Sequence, residues 1–351
     1  LSAQELSVDA VAAVDKSGYL ADTMSMPEHL TDALWRVESA NLEEHDAPGG
    51  LLVAGMGGSA IGGALARAAL GDRASRPVLM RRDYDLPAWT TPDTTILCCS
   101  YSGNTEETLA VYDAAKALGA RQIVAATGGR LAEVARADGI PVVPLPGGFQ
   151  PRAAVAYSMV IALEVAAISG VCERLHSEID VAAAHAERLV EAWGPAGPED
   201  SLAKTLAREL HGTIPVIAGA GLTVPVAYRW KCQINENAKA PAFAAEIPEL
   251  SHNEISGWES ASTFGPFSAV FLDDCDLHPR VRQRIELTRG LIESHDAAAH
   301  RVETIGQTRT ERLVSMVLLG DLVSLYLAVL RGVDPTPIDL IDHLRSALDR
   351  G

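Results

Sequence analysis

Four stretches of this sequence have side chains suited to proton chemistry on an anionic substrate. Glu236 stands among amides in Gln233, Ile234, Asn235, Glu236, Asn237, Ala238 and Lys239, where a carboxylate near a helix end can take up a proton. The same stretch also reads as an ordinary solvated helix face. His252 lies between Ser251 and Asn253 in a polar run, away from the apolar stripe that a packed core histidine occupies. Arg152 follows Gln150 and Pro151 at the end of a Gly/Pro-rich loop, where a cation can stabilise a developing oxyanion or merely mark a helix start.

The fourth feature is a pair of loops. Gly55, Met56, Gly57, Gly58 and Ser59 follow the apolar run Leu51 to Ala54, and their glycines let backbone approach a ligand while Ser59 brings a hydroxyl to the next helix. Ser100, Ser102 and Thr105 follow the apolar run Thr95 to Cys99 and precede Glu106, so three hydroxyls converge on a second helix N-terminus. Backbone N–H groups at such a terminus favour an anion. Plain turns and caps use the same residue types, but one cap needs only one hydroxyl. Gly55, Gly57 and Ala60 also fit the G-x-G-x-x-A form of a dinucleotide fingerprint, with Asp83 after the next apolar run. A dinucleotide domain has no need of the second hydroxyl-rich loop, so a phosphate cradle is the better reading.

A carboxylate base, an acid–base histidine, an arginine and a phosphate cradle are together what moving a proton between adjacent carbons of a sugar phosphate requires. No metal and no organic cofactor is expected. His252 and Glu254 are two residues apart and would face different sides of a helix, and no H-x-x-x-H pair accompanies them, which disfavours a zinc-type mannose phosphate isomerase. No serine-centred nucleophile elbow is present either.

Composition narrows the partners. The 351 residues, 48% hydrophobic, suffice for two domains with buried cores. A formal charge of −17 with only five lysines argues against nucleic acid or an anionic membrane surface, since both reward clustered cations. An anionic substrate must then be held locally, by dipoles, hydroxyls and a few arginines. Five cysteines at 98, 99, 172, 232 and 275 form no C-x-x-C pair, which fits reduced thiols and a cytoplasmic protein. Leu1 to Glu5 show no basic stretch ahead of an apolar one, so no secretory leader is expected there. The apolar segment 313–330 carries Asp321 at its middle and is expected to be a buried core helix.

These groups need a scaffold. Apolar strand runs at 51–54, 77–81, 95–99, 122–126 and 141–144 alternate with helical patterns at 61–70, 106–118 and 131–137, which predicts a doubly wound parallel sheet. A second pass has a helix at 203–210, a strand from Ile214 running into Gly219 and Gly221, strands at 269–273 and 299–305, and a helix at 279–294. The halves look duplicated. The expected division is residues 1–190, including a helical run at 155–189 that bridges the halves, and residues 200–351, with Trp193 to Pro198 as linker.

At these residues the chain resembles the sugar isomerase (SIS) superfamily, and within it the bifunctional phosphoglucose/phosphomannose isomerases of archaea and bacteria. The likeness runs from about Asp22 to the C-terminus and carries the two loops, Thr127 to Leu131, Gln150 to Arg152, Asn235 to Lys239 and His252 to Glu254. It implies two SIS domains, each a parallel α/β sandwich, in a homodimer whose active site lies near the subunit boundary. It also implies aldose–ketose isomerisation of glucose 6-phosphate or mannose 6-phosphate and fructose 6-phosphate through a cis-enediol. Glu236 would be the base, His252 from the neighbouring subunit would assist ring opening, and Arg152 would stabilise the enediolate. Gly57, Gly58, Ser59, Ser100, Ser102 and Thr105 would hold the phosphate, and Thr336 lies where a contact to the C2 hydroxyl is expected. One departure stands out: the family's C-terminal lysine, in Ile-Asp-x-x-Lys, is Arg345 here, and arginine does not exchange protons at neutral pH. His252 or His343 would have to compensate. The alternative is a sugar-phosphate sensor that keeps the cradle without turnover, and a nucleotide-dependent enzyme built on Gly55 to Ala60 is a third reading.

Overall fold

The computed structural model describes residues 5–348, so the expectation about the first residues and the outer ends of both expected domains lie outside it in part. Three short helices, α1 (Val8–Val14), α2 (Tyr19–Met24) and α3 (Met26–Ser39), come before the first strand. They stand outside the strand–helix alternation that the sequence pattern predicts.

The first sheet is fully parallel, with strands β1 (Leu51–Ala54), β2 (Val78–Arg81), β3 (Thr95–Ser100), β4 (Gln122–Ala126) and β5 (Val142–Pro144) in the order β2-β1-β3-β4-β5. Its central strands β1, β3 and β4 are buried along their whole length, as their unbroken apolar runs require when helices cover both faces. Helices α4 (Gly57–Leu70), α5 (Glu106–Leu118) and α6 (Gly129–Ala137) provide the crossovers. All five expected strands are present to within a residue or two.

The expected bridging helix is two helices, α7 (Val155–Ile168) and α8 (His176–Trp193). The break has a local cause: Gly170 adopts φ +69°, a left-handed conformation that ends α7. Across the break, buried Glu164 accepts from Arg174 at 3.2 Å and contacts the His176 ring at 2.8 Å.

Helix α9 (Leu202–Leu210) opens the second half. Its parallel sheet contains β6 (Ile214–Gly219), β7 (Phe243–Glu246), β8 (Phe267–Asp273) and β9 (Ala298–Glu303) in the order β7-β6-β8-β9. This repeats the first four positions of the first sheet, which is the duplication expected from the sequence. Strand β7 is the one that no periodicity announces: it is four residues long, and three of them are exposed. Helices α10 (Val224–Asn237) and α11 (Pro279–Glu293) flank this sheet.

Helix α12 (Arg309–Arg331) binds the two halves, packing on α8, α9, α10 and α4. It starts with a capping box between Thr308 and Glu311 and ends at left-handed Gly332. Gly320 lets α10 come close, since a Cβ there would lie 2.0 Å from Trp230 Nε1. The segments Pro151–Ile168 and Arg309–Arg331 are long and apolar enough to cross a membrane, and both are buried in the fold, as expected for 313–330. The last helix, α13 (Asp339–Leu348), has no buried residue.

Candidate active site

In the first sheet, chain order reverses between β1 and β3, and in sheets of this kind the crevice beyond the C-terminal ends of the strands at such a switch point is where ligands bind. The two loops singled out in the sequence leave those two strands, so the topology alone brings them side by side. Helix α4 begins at Gly57 with Met56 as N-cap, which puts Ser59 in the first turn rather than at the cap. Thr105 is the N-cap of α5, yet no side chain caps either helix start. The Thr105 hydroxyl instead pairs with Ser100 Oγ at 2.8 Å, and Ser100 Oγ also accepts from Gly103 N at 3.1 Å. Two helix N-termini with no side-chain cap thus follow neighbouring strands, an arrangement suited to an anion such as phosphate.

The second loop is braced from behind. Leu131 N donates to Gly103 O at 2.8 Å, Arg130 N to Asn104 Oδ1 at 3.0 Å, and Thr127 Oγ1 to Tyr101 O at 2.7 Å. Gly103 has φ +69°, and a Cβ there would lie 1.9 Å from Gly128 O. Ser102 stays exposed, with Oγ accepting from Asn104 N at 3.2 Å. Beside Ser59, burial pushes the Cys99 thiol up to about 11, with a hydrogen bond to Ser59 opposing, so Cys99 is an inert core thiol.

Arg152 reaches this crevice because α4 and its loop pack closely: a Cβ at Gly58 would lie 2.9 Å from Pro151 O. Only 5% exposed, Arg152 donates through Nε to Asn237 Oδ1 at 2.8 Å and through Nη2 to the carbonyls of Pro335 at 2.7 Å and Thr336 at 3.2 Å. Its guanidinium lies 4.6 Å from the centre of the Tyr19 ring. The remaining Nη1 stands 3.7 Å from Glu236 Oε2. Glu236 is in the last turn of α10 and half-buried, so its carboxylate can face both Arg152 and a ligand in the crevice.

Lys239 closes the far side. It has φ +52°, a left-handed conformation uncommon outside glycine and asparagine, and it returns Nζ to the Glu236 carbonyl and, at 3.1 Å, to Pro335 O. Burial and then the Arg152 charge hold its ammonium below the usual lysine range. The Thr336 hydroxyl is buried and has no hydrogen-bond partner among the described residues.

Of the residues expected to act, the structure brings together Arg152, Glu236 and the α4 N-terminus at Gly58. His252, at the end of a 3-10 turn (Glu249–His252), is exposed, and Arg345 on α13 is exposed and, among the described residues, pairs with Asp342 alone, at 3.5 Å. Among the described residues, no hydrogen bond or ion pair joins either of them to Glu236 or Arg152. Sequence reasoning missed Tyr19, whose phenol burial pushes up and Arg152 pulls down, and the carbonyls of Pro335 and Thr336. No local signal marks backbone carbonyls as a site.

Residues 199–348 match the family described as the bacterial phospho-glucose isomerase C-terminal SIS domain. A hypothetical protein of known structure from Thermus thermophilus shares the fold, with a TM-score of 0.72 at 15% identity over 95% of this chain and 91% of that one. Two parallel sheets flanked by helices, the second within the stretch that matches a SIS-domain family, therefore define the class. The bifunctional phosphoglucose/phosphomannose isomerase of Caldicellulosiruptor bescii is 41% identical over 92% of this chain and 97% of that protein. Its namesake from Aquifex aeolicus is 32% identical over 86% and 91%. The chain belongs to the bifunctional phosphoglucose/phosphomannose isomerase family.

Proposed function

We propose that the protein interconverts hexose 6-phosphates, glucose 6-phosphate and mannose 6-phosphate with fructose 6-phosphate, by moving one proton between C1 and C2. The observation that carries this reading is the pairing of Glu236 with Arg152 at 3.7 Å beside two uncapped helix N-termini. The phosphate docks at Gly57, Gly58, Ser59, Ser100, Ser102 and Thr105. Glu236 takes the proton from one carbon and returns it to its neighbour, a transfer a single carboxylate performs without leaving the enediol plane. Negative charge then develops on the enediolate oxygens, where the Arg152 cation stabilises it in a poorly solvated site. The Thr336 hydroxyl, without a hydrogen-bond partner among the described residues, is suited to meet the C2 hydroxyl, whose configuration separates the two aldose epimers.

Ring opening is assigned to His252, supplied by the neighbouring subunit of a homodimer. Supporting this are the exposure of His252 and the exposed apolar residues Leu340, Leu344 and Leu348 on α13, which a second copy would cover. In the same arrangement Arg345 binds and polarises a sugar oxygen; a guanidinium does not exchange protons at neutral pH. The test is incubation of the protein with fructose 6-phosphate under chelator while glucose 6-phosphate and mannose 6-phosphate are followed separately. Turnover into either channel is expected. Binding of fructose 6-phosphate with silence in both channels would overturn the reading.

A further inference from the structure

Behind the Arg152 guanidinium lies a buried polar set that the reaction, as read above, does not use. Arg229, Gln233 and Asn237 recur at every fourth position of α10 and so line one face of it, turned away from solvent. Asp321 and Ser324 face them from α12. Arg229 is 2% and Asp321 3% exposed, and they pair in fork geometry, Nε to Oδ1 at 2.9 Å and Nη2 to Oδ2 at 2.6 Å. The same Nη2 donates to the backbone carbonyl of Arg152 at 2.9 Å. On the other side, Asn237 accepts from Arg152 Nε at 2.8 Å and donates to Ser324 Oγ at 2.9 Å, and Ser324 donates to the Asp321 carbonyl at 2.7 Å. Gln233 donates to the hydroxyl of Tyr19 at 3.3 Å, and the Tyr19 ring carries the guanidinium.

A fully buried ion pair is a poor device for stability alone, because desolvation cancels most of the attraction and apolar side chains of the same volume serve as well. Here the pair ends on the main chain of Arg152, and the amide branch ends on its side chain. Both branches start from one turn of α12. Burial works against the Arg229 cation and the Asp321 carboxylate more than offsets it, while burial raises the Asp321 carboxyl against the pull of Arg229.

We propose that Asp321, acting through Arg229, and Ser324, acting through Asn237, are positioning residues for the reaction: they fix the backbone and the guanidinium of Arg152 so that its cation stays aligned with Glu236 and with the charge that develops on substrate. The inference rests on the reading of Glu236 as base and Arg152 as the anion-stabilising cation. Misplacing such a group by about 1 Å costs on the order of a hundredfold in rate while substrate still docks through its phosphate.

The experiment compares Asp321→Asn, Ser324→Ala and Arg152→Lys in the full-length chain. It measures kcat and KM for fructose 6-phosphate, and the affinity for 5-phosphoarabinonate relative to arabitol 5-phosphate. These two open-chain ligands share the phosphate and differ in a carboxylate against a neutral alcohol, so their ratio reads the alignment of the cation and not the state of the fold. Expected are a roughly ten- to hundredfold fall in kcat with KM within about twofold, a matching fall in carboxylate preference, and no further fall when either variant is combined with Arg152→Lys. Wild-type carboxylate preference in Ser324→Ala, or in a folded Asp321→Asn, would overturn the proposal. If Asp321→Asn does not fold, Ser324→Ala decides alone. An Arg152→Lys protein with unchanged kcat and preference would instead remove the underlying reading of Arg152, and the positioning role with it.

Discussion

Gly103 is the residue at which the fold and the proposed phosphate cradle can be perturbed together. Alanine there meets two separate penalties. At φ +69° an L-residue takes on left-handed strain of roughly 1–2 kcal/mol. Its Cβ would also stand 1.9 Å from Gly128 O, a backbone atom that cannot rotate away, so one loop must retreat from the other by roughly 1.5 Å to restore ordinary contact. That retreat acts on the hydrogen bonds from Leu131 N to Gly103 O at 2.8 Å and from Gly103 N to Ser100 Oγ at 3.1 Å, which hold the cradle in shape. A displaced cradle loses at least one hydrogen bond to the phosphate, worth about 1.5–3 kcal/mol because the acceptor is charged. The inhibition constant of inorganic phosphate, and KM for fructose 6-phosphate, should then rise roughly tenfold to a hundredfold in Gly103→Ala. Gly139→Ala is the control: φ is +72° with nothing within 4 Å, so it carries the strain without the collision. It should lose stability while leaving phosphate affinity unchanged. Phosphate affinity within twofold of wild type in Gly103→Ala, or an equal change in Gly139→Ala, would refute the reasoning.

Further outcomes follow from neighbouring features. Lys239→Gly relieves left-handed strain but cuts the tie between the Glu236 carbonyl and Pro335, so stability should stay within about 1 kcal/mol of wild type while kcat falls; an unchanged kcat would remove Lys239 from the site. Lys116, and then Tyr112, hold the Asp138 carboxyl below the usual carboxylate range through hydrogen bonds. A depressed carboxylate contributes stability above its unfolded pKa, near 4, and loses it as pH falls through the lower folded value. Asp138→Asn should therefore lower the urea midpoint at pH 7 and converge with wild type in strong acid; a gap that persists there would contradict this.

The fold was legible where burial on both faces makes a strand a continuous apolar run, as in β1, β3 and β4. It was not legible at β7, whose Phe243 to Glu246 are mostly exposed and held by pairing to β6 rather than by any pattern of their own. The bridging helix misled for the opposite reason: apolar residues continue past Gly170 at Val171 and Cys172, while its left-handed turn and the non-helical stretch to Leu175 separate α7 from α8. At the candidate site, the loops and Glu236 stood out in the sequence because glycines, hydroxyls and a carboxylate among amides are unusual in combination. The support for Arg152 was not, since Asn237 and Tyr19 look like ordinary polar and aromatic residues until α2, α10 and the Pro335 loop converge on one guanidinium.

The central claim is that Glu236 carries the proton between C1 and C2. It is tested most directly by incubating wild type and Glu236→Gln with fructose 6-phosphate in deuterium oxide and measuring turnover and deuterium at C1 and C2 by mass spectrometry. Loss of a positioned general base costs about 10²–10⁴-fold. Turnover and carbon-bound deuterium should fall together by that factor in Glu236→Gln, while fructose 6-phosphate still binds. Wild-type turnover or exchange in the glutamine variant would contradict the assignment.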